Sequence, residues 1–317
     1  MQDIMLYAGQ DDNYLSAQKH IEKYLQVKAD DSQIKNLVST YGEQLESKMI
    51  SLHEELQSKA AVLASKVGEQ EYAYGMIDGS MVYTREEDGG WKEMKLGRIF
   101  TDGVHYQINE KRGWVRESLY TAHFGQCEPF LDKFEPILDH FEPLEQRLVF
   151  INDGANWIWK RIEESYPKAT QILDFFHACE YLTDFAKLFI KNEQERQVWI
   201  SAQKASLLND GVEQVIQSIQ TFQANGKKQK EGQEKILTYY QNNKHRMMYR
   251  TFKEKGMLIG SGPIESAHRV VIQKRMKQSG QRWTIIGGQQ VANLRVAHIN
   301  NQWDNVVDLI KYPKKAA

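Results

Sequence analysis

Cysteine is nearly absent from this chain: Cys127 and Cys179 are the only two among 317 residues. They form no disulfide framework and have no zinc-ligand spacing, which fits a reducing cytoplasm. Long apolar runs are missing too. None approaches the roughly 20 residues that a membrane-spanning helix needs, so no membrane partner is expected. No basic stretch followed by an apolar one opens the sequence, and secretion is not expected. Nor is there net charge, which is -1 at neutral pH. What is present is ordinary for a globular protein: 41% hydrophobic and 26% charged residues. That length and composition allow two or three domains around at least one large core.

Charge is uneven even though its sum is near zero. Residues 244–282 hold ten Lys or Arg against Glu254 and Glu265, a local +8. Residues 128–145 hold six acids against Lys133, a local -5. A basic block in a neutral chain suggests a polyanion partner, or a solvated face balancing the acidic one.

Residues 1–12 show no clear period. Tyr14, Ala17, Ile21 and Tyr24 or Leu25 then make one helical face. After a break at 28–31, Ser32 can cap a second helix with Ile34, Leu37, Val38, Tyr41 and Leu45 as its core stripe. The pair fits a helix-turn-helix that turns Gln33, Lys35, Asn36 and Lys48 outward, and fits any small helical bundle equally well. From Tyr72 the period changes to two. Strands are expected over 72–83, with an interruption at Asp78-Gly79, over 91–100 and over 113–122, joined by short turns as an antiparallel meander. A sevenfold Glu-Pro repeat at Glu128, Glu135 and Glu142 predicts a broken helical segment over one sheet face, because Pro136 would kink or end a helix.

Leu148-Val-Phe-Ile-Asn152 reads as a strand buried on both faces. Asp153-Gly154 ends it, a helix pattern follows to about Tyr166, and 169–174 reads as another strand. Strand, helix, strand makes a right-handed crossover and a parallel pair. Three antiparallel strands followed by parallel ones is the order of a ribonuclease-H-like fold. Residues 175–250 are helical and polar, with 226–230 as a loop tip, a Gly-rich hinge at 256–262, and a long helix from Pro263.

Three carboxylates then stand out. Asp78 lies mid-strand, where a lone acid is costly unless it is ionic or hydrogen-bonded. Asp153 ends the central strand, where it can face a ligand crevice or cap the following helix. Glu265 sits in the first turn of a helix, a capping position, and heads a face with Arg269, Ile272 and Met276. The first and fourth strands of a ribonuclease-H-like sheet are neighbours, so Asp78 and Asp153 are expected side by side. Adjacent carboxylates repel unless a cation lies between them. Few carboxylates, waters and substrate phosphates suit Mg²⁺.

These residues also carry a resemblance. Asp78-Gly-Ser, Lys92-Glu-Met-Lys-Leu-Gly-Arg-Ile-Phe100, Asn152-Asp-Gly-Ala-Asn-Trp-Ile-Trp159, Ile172-Leu-Asp-Phe-Phe-His-Ala-Cys-Glu-Tyr-Leu182, Gly260-Ser-Gly-Pro-Ile-Glu-Ser266 and Lys274-Arg-Met-Lys-Gln-Ser-Gly-Gln-Arg-Trp283 occur in that order. The set resembles DDE-class bacterial insertion-sequence transposases, nearest to the Kra-type group, with the Lre-type as the other candidate. The resemblance implies a metal-binding triad of Asp78, Asp153 and Glu265 holding two Mg²⁺ ions, with Mn²⁺ as substitute. Asp174 and His177 match an accessory Asp-x-x-His signature, His177 being equally readable as a packed helix residue. Arg269, Lys274, Arg275, Lys277 and Arg282 would bind DNA, and Trp283 would stack on a base or join the core.

The expected architecture is α+β and α/β, a ribonuclease-H-like mixed sheet with a helical insertion. Its parts are an N-terminal helical segment at 1–68, the first part of the core at 69–182, the insertion at 183–254 and the final core helix and tail at 255–317. Only about 70 residues precede the core, fewer than that transposase group usually carries, from which a shortened copy is expected. The expected function is cleavage of element ends and strand transfer into target DNA, by a cytoplasmic homo-oligomer on DNA. The alternatives are a metal-dependent nuclease on the same fold and a non-catalytic DNA-binding descendant. The basic block at 244–282 is expected to face the triad.

Overall fold

The computed structural model describes residues 1–86, 89–109 and 112–312. The chain is mixed α/β and divides into two compact units, one of residues 1–144 with 263–317 and one of 145–262. These units cut the chain differently from the boundaries drawn on the sequence. Residues 1–68 pack into the same unit as the antiparallel strands, and 145–182 go with the helices that follow.

The first unit opens with four helices: α1 (Gln2–Asp11), α2 (Tyr14–Leu25), α3 (Asp31–Ser47) and α4 (Met49–Ser65). Asn13 caps α2 through Ser16 N–H, and α3 is capped by Asp30, which accepts from Ser32 and Gln33 N–H, and not by Ser32. The expected stripe of α3 is largely realised, with Ile34, Val38, Tyr41 and Leu45 buried. α1 is helical where the sequence shows no period, because its buried side includes Gly9 and Gln10 beside Met5 and Leu6. A Cβ on Gly9 would stand 2.6 Å from Ile34, so the bare glycine is what lets α3 approach.

β1 (Ala73–Thr84) and β2 (Gly90–Thr101) pair antiparallel along their full length, Asp78 opposite Leu96. β1 is buried on both faces from Ala73 to Ile77 and emerges at Asp78, after which burial alternates. β1 therefore runs through Asp78-Gly79 without the expected interruption. An acid is tolerated there because it lies where the strand leaves the core. The expected single strand at 113–122 is two pieces: β3 (His105–Asn109) and β4 (Arg112–Val115) form a separate ribbon, and β5 (Leu119–Phe124) pairs with β2. α5 (Glu128–Leu138) keeps Pro136 inside it and continues as 3-10 turns through Asp139–Arg147, the broken helix expected over the sheet. Its Phe134 ring lies on Gly97, where any Cβ would meet it at 2.7 Å.

The second unit is built on β6 (Leu148–Asn152), buried at every position, α6 (Asn156–Ser165) and β7 (Thr170–Leu173), which pairs parallel with β6. α7 (Phe175–Phe189), α8 (Glu193–Leu208), α9 (Val212–Gln220), α10 (Lys227–Asn243) and α11 (Tyr249–Glu254) follow. No strand occurs in 183–254 among the described residues, as the polar helical pattern implies. Lys227 to Lys230 open α10 and do not form a loop tip; the connection is 221–226, ending on Gly226 at φ 93°.

The chain then returns to the first unit through α12 (Gly262–His268), a π-helical turn at Arg269–Gln273, α13 (Lys274–Met276), α14 (Ile285–Ile299) and α15 (Trp303–Lys311). The long helix expected from Pro263 thus runs to Met276 with a π turn inside it. A π turn widens the helix and frees carbonyls that need donors. Arg295 on α14 supplies them: Nε donates to Val271 O at 2.6 Å, Nη2 to Val270 O, and Nη1 to Gln10 O at 2.6 Å. The turn also shifts the phase of the side chains. Glu265 and Arg269 are exposed while Ile272 and Met276 are buried, so the expected common face does not exist.

α14 packs on α3 with almost no gap: a Cβ on Gly42 would stand 2.5 Å from Gln290 O. Gly42→Ala is therefore expected to cost about 1–3 kcal/mol, because backbone rather than a flexible side chain must yield. Urea unfolding checks this, and an unchanged midpoint would contradict the packing account.

Candidate functional site

Asp78 and Glu265 line one open crevice of about 420 Å³ in the first unit, with His268, Arg269 and Lys277 around them. β1 delivers Asp78 at its point of emergence, and α12 delivers Glu265 and His268 a turn apart. Asp78 Oδ1 accepts from Gly79 N–H at 2.7 Å, and Oδ2 lies 3.2 Å from His268 Nε2. His268 is only 2% exposed, and neither ring nitrogen has a well-aligned hydrogen-bond partner. Burial pushes its pKa down to about 4, so the imidazole is neutral at pH 7 and does not cancel the charge on Asp78. Burial also lowers the Lys277 ammonium, while the nearby Asp78 carboxylate pulls it back up.

What holds α12 over β1 is Arg98, a buried residue of β2 that the sequence reading passed over. Its Nη1 donates to Pro263 O and, at 3.4 Å, to Ser266 Oγ. Nε and Nη2 donate to Ser118 Oγ at 3.0 and 2.9 Å. One guanidinium so ties the first turn of α12 to β2 and to the start of β5. The signal available in sequence was slight: an arginine among apolar strand residues, Leu96 and Ile99.

The other expected site residues lie in the second unit. Asp153 borders a crevice of about 640 Å³ with His177, Tyr181, Tyr239, Glu231 and Lys235. Its carboxylate accepts from Ala155 N–H at 3.2 Å and its carbonyl from Tyr239 Oη–H at 2.8 Å. Tyr181 and Tyr239 stack at 4.0 Å, and His177 meets both edge-on while its Nδ1 lies 3.2 Å from Glu180. Asp174 is structural in this geometry. It is 2% exposed, caps α7 through Phe176 and His177 N–H, and accepts from Ser261 N–H and Oγ–H. That occupation leaves it no lone pair facing a substrate.

The expected DNA-binding residues separate in the same way. Arg269 and Lys277 border the Asp78 crevice. Lys274 is exposed but ion-paired with Asp11 at 2.8 Å. Arg275 must be corrected as a strand-tracking residue on an open surface, and of the two readings of Trp283 the structure has the core one. Arg275 is 1% exposed, donates to Gly9 O at 3.0 Å and lies between the Tyr14 and Trp283 rings. Trp283 is buried and donates from Nε1 to Met276 O, so its ring is core. Arg282 lies over the Tyr83 ring, lining a different pocket. Residues of the basic block fall in both units. Lys244 pairs with Glu213, Arg246 with Glu163, and Arg250 with Asp210 and Glu254.

For a metal ion, the Asp78 crevice offers two carboxylates in an open, wet setting. That donor set suits Mg²⁺, which takes one or two carboxylates and completes its shell with water and substrate phosphate. Among the described residues no three His, Cys, Asp or Glu side chains form a ready metal cluster. No helix among them is long and apolar enough to cross a membrane.

Residues 91–311 match the model of an uncharacterised protein family (UPF0236), and the chain belongs to that family. The match includes Asp153 and Glu265 and starts beyond Asp78. No curated protein matches the chain.

The buried neutral His268 has a consequence for stability. Its pKa is about 4 in the folded chain against an ordinary 6.5. Above pH 6.5 both states are neutral; as pH falls toward 4 only the unfolded chain takes up the proton, so stability is lost across that window. His268→Gln should remove part of this loss, on the order of 3 kcal/mol by the acid end. Urea unfolding of both proteins along a pH series checks it. Parallel curves would contradict a neutral His268.

Proposed function

We propose that this member of an uncharacterised family is a DNA transposase of a bacterial insertion sequence, acting by metal-dependent phosphoryl transfer on a ribonuclease-H-like core. The observation that carries the reading is the shared crevice of Asp78 and Glu265, two acids distant in sequence, bordered by Arg269 and Lys277. In this reading Asp78 and Glu265 hold Mg²⁺, or Mn²⁺ in its place, and Asp153 is the third acid of the set. When bound, a metal pair supplies activation of water or a 3′ hydroxyl and stabilisation of the leaving oxygen in an in-line displacement.

The chain's own residues do the rest. Asp78 and Glu265 supply negative charge at a place where DNA phosphates would otherwise be repelled, which makes binding of the strand depend on the cation. Arg269 and Lys277 flank them and pair with the phosphates on either side of the reacting one. His268, neutral and buried, sets the Asp78 carboxylate without competing for it as a cation. Arg98 is a positioning residue that keeps Glu265 over β1. Hydrolysis at an element end frees a 3′ hydroxyl, which attacks target DNA by transesterification; no covalent link to the protein is needed. The protein works on DNA as a homo-oligomer in the cytoplasm.

Glu265→Gln and Asp78→Asn are expected to leave DNA binding nearly intact and to lower Mg²⁺-dependent cleavage by about a hundredfold or more. Lys277→Ala should weaken binding to all sequences and flatten its salt dependence by about 0.7 to 0.9 log units. Fluorescence anisotropy and a cleavage assay on element ends provide both readings. Cleavage retained by Glu265→Gln would remove the catalytic reading. Hydrolysis without joining of pre-cut ends would make the protein a nuclease.

A further inference from the structure

A second pocket in the first unit, of about 370 Å³, lies between α2 and α3 on one side and residues 281–290 on the other. Four cations line it: Lys35, Arg85, Arg275 and Arg282. No acid lines it among the described residues. The nearby described acids are already engaged. Asp11 serves Lys274 and Arg295, Asp12 accepts from Asn13 N–H at 2.7 Å and Gln278 Nε2–H at 3.4 Å, and Glu86 accepts from Ile285 N–H at 2.6 Å.

Arg275 is the informative member. It is 1% exposed, yet no carboxylate pairs with it among the described residues; its neighbours are the Gly9 carbonyl and the Tyr14 and Trp283 rings. Burial raises the Tyr14 phenol, which stays neutral and gives no counter-charge. Arg275 Nη2 has no hydrogen-bond partner. Asp12 and Asp11 act on this buried guanidinium only through space and form no ion pair with it, so the fold balances its charge in part. Lys35 and Arg85 are exposed at the rim with Arg282 beside them, free to close on an anion that enters.

We propose that this pocket binds a phosphate group. Arg282 and Arg85 hold its oxygens, and Arg275 beneath supplies further positive charge. The assignment goes beyond the transposase reading and does not depend on Asp78, Glu265 or a metal ion. The phosphate can be a free ion or the end of a DNA strand, and the chemistry is the same.

The test is a titration of the full chain with inorganic phosphate, by calorimetry in EDTA at constant ionic strength. Saturable binding is expected, and Arg85→Ala/Arg282→Ala should weaken it about tenfold or more. Both substitutions lie outside the core, so the double variant should keep the wild-type unfolding midpoint. Lys277→Ala, in the other crevice, should leave phosphate binding unchanged. No saturable binding, equal affinity in the double variant, or loss only in Lys277→Ala would each overturn the proposal. A second arm compares single-stranded DNA with and without a 5′ phosphate. A gain from the end phosphate in wild type that vanishes in the double variant assigns the strand end; no gain, with inorganic phosphate still bound, assigns the free ion. Because no arm uses cleavage or Mg²⁺, failure here is separable from failure of the catalytic reading.

Discussion

The grip of Arg98 on the Pro263 carbonyl is the contact on which the candidate site depends. It ties the first turn of α12 to β2, while His268 of the same helix meets Asp78 directly, so Glu265 is placed from both sides. An arginine inside a sheet face is costly unless every N–H is used. Here the cost is met by Ser118, Ser266 and Pro263, so desolvation and positioning are coupled in one side chain. The bonds that make Arg98 tolerable are also the ones that build the crevice.

The same logic recurs along the returning segment. Arg295 satisfies the carbonyls freed by the π turn, and that turn sets which side chains beyond it face solvent. Lys277 comes to the crevice while Arg275, two residues earlier, goes into the core. A charge count along the chain cannot separate these roles. In this basic block buried arginines organise backbone, paired ones balance nearby acids, and Arg269 and Lys277 border the crevice of Asp78.

Much of the fold was readable where period and burial agree. β6 is an unbroken apolar run and is buried throughout, and the stripe on α3 is its core face; β2 alternates in sequence but is buried at every position from Met94 to Thr101. Asp78 was legible because an acid inside a strand pattern has few structural excuses, and Glu265 because it heads a helix after a Gly-rich hinge. Three features were not legible. α1 hides its period because glycine and glutamine occupy buried positions. The π turn leaves no composition signal, and its phase shift was therefore missed. Arg275 read as a nucleic-acid contact, and Trp283 stayed open between a base and the core, because a basic and aromatic string looks the same whether its side chains point out or pack together. Asp174 matched a motif, but its oxygens are spent on capping α7 and tying down Ser261.

The central claim is that Asp78, Glu265 and Asp153 act together on one metal-dependent reaction. Mn²⁺ binding to the full chain in the presence of DNA, followed by electron paramagnetic resonance, tests it most directly. The account predicts that Asp78→Asn, Glu265→Gln and Asp153→Asn each weaken Mn²⁺ binding while the fold is retained. Binding unchanged by Asp153→Asn would remove that acid from the set, and binding unchanged by all three would contradict the account.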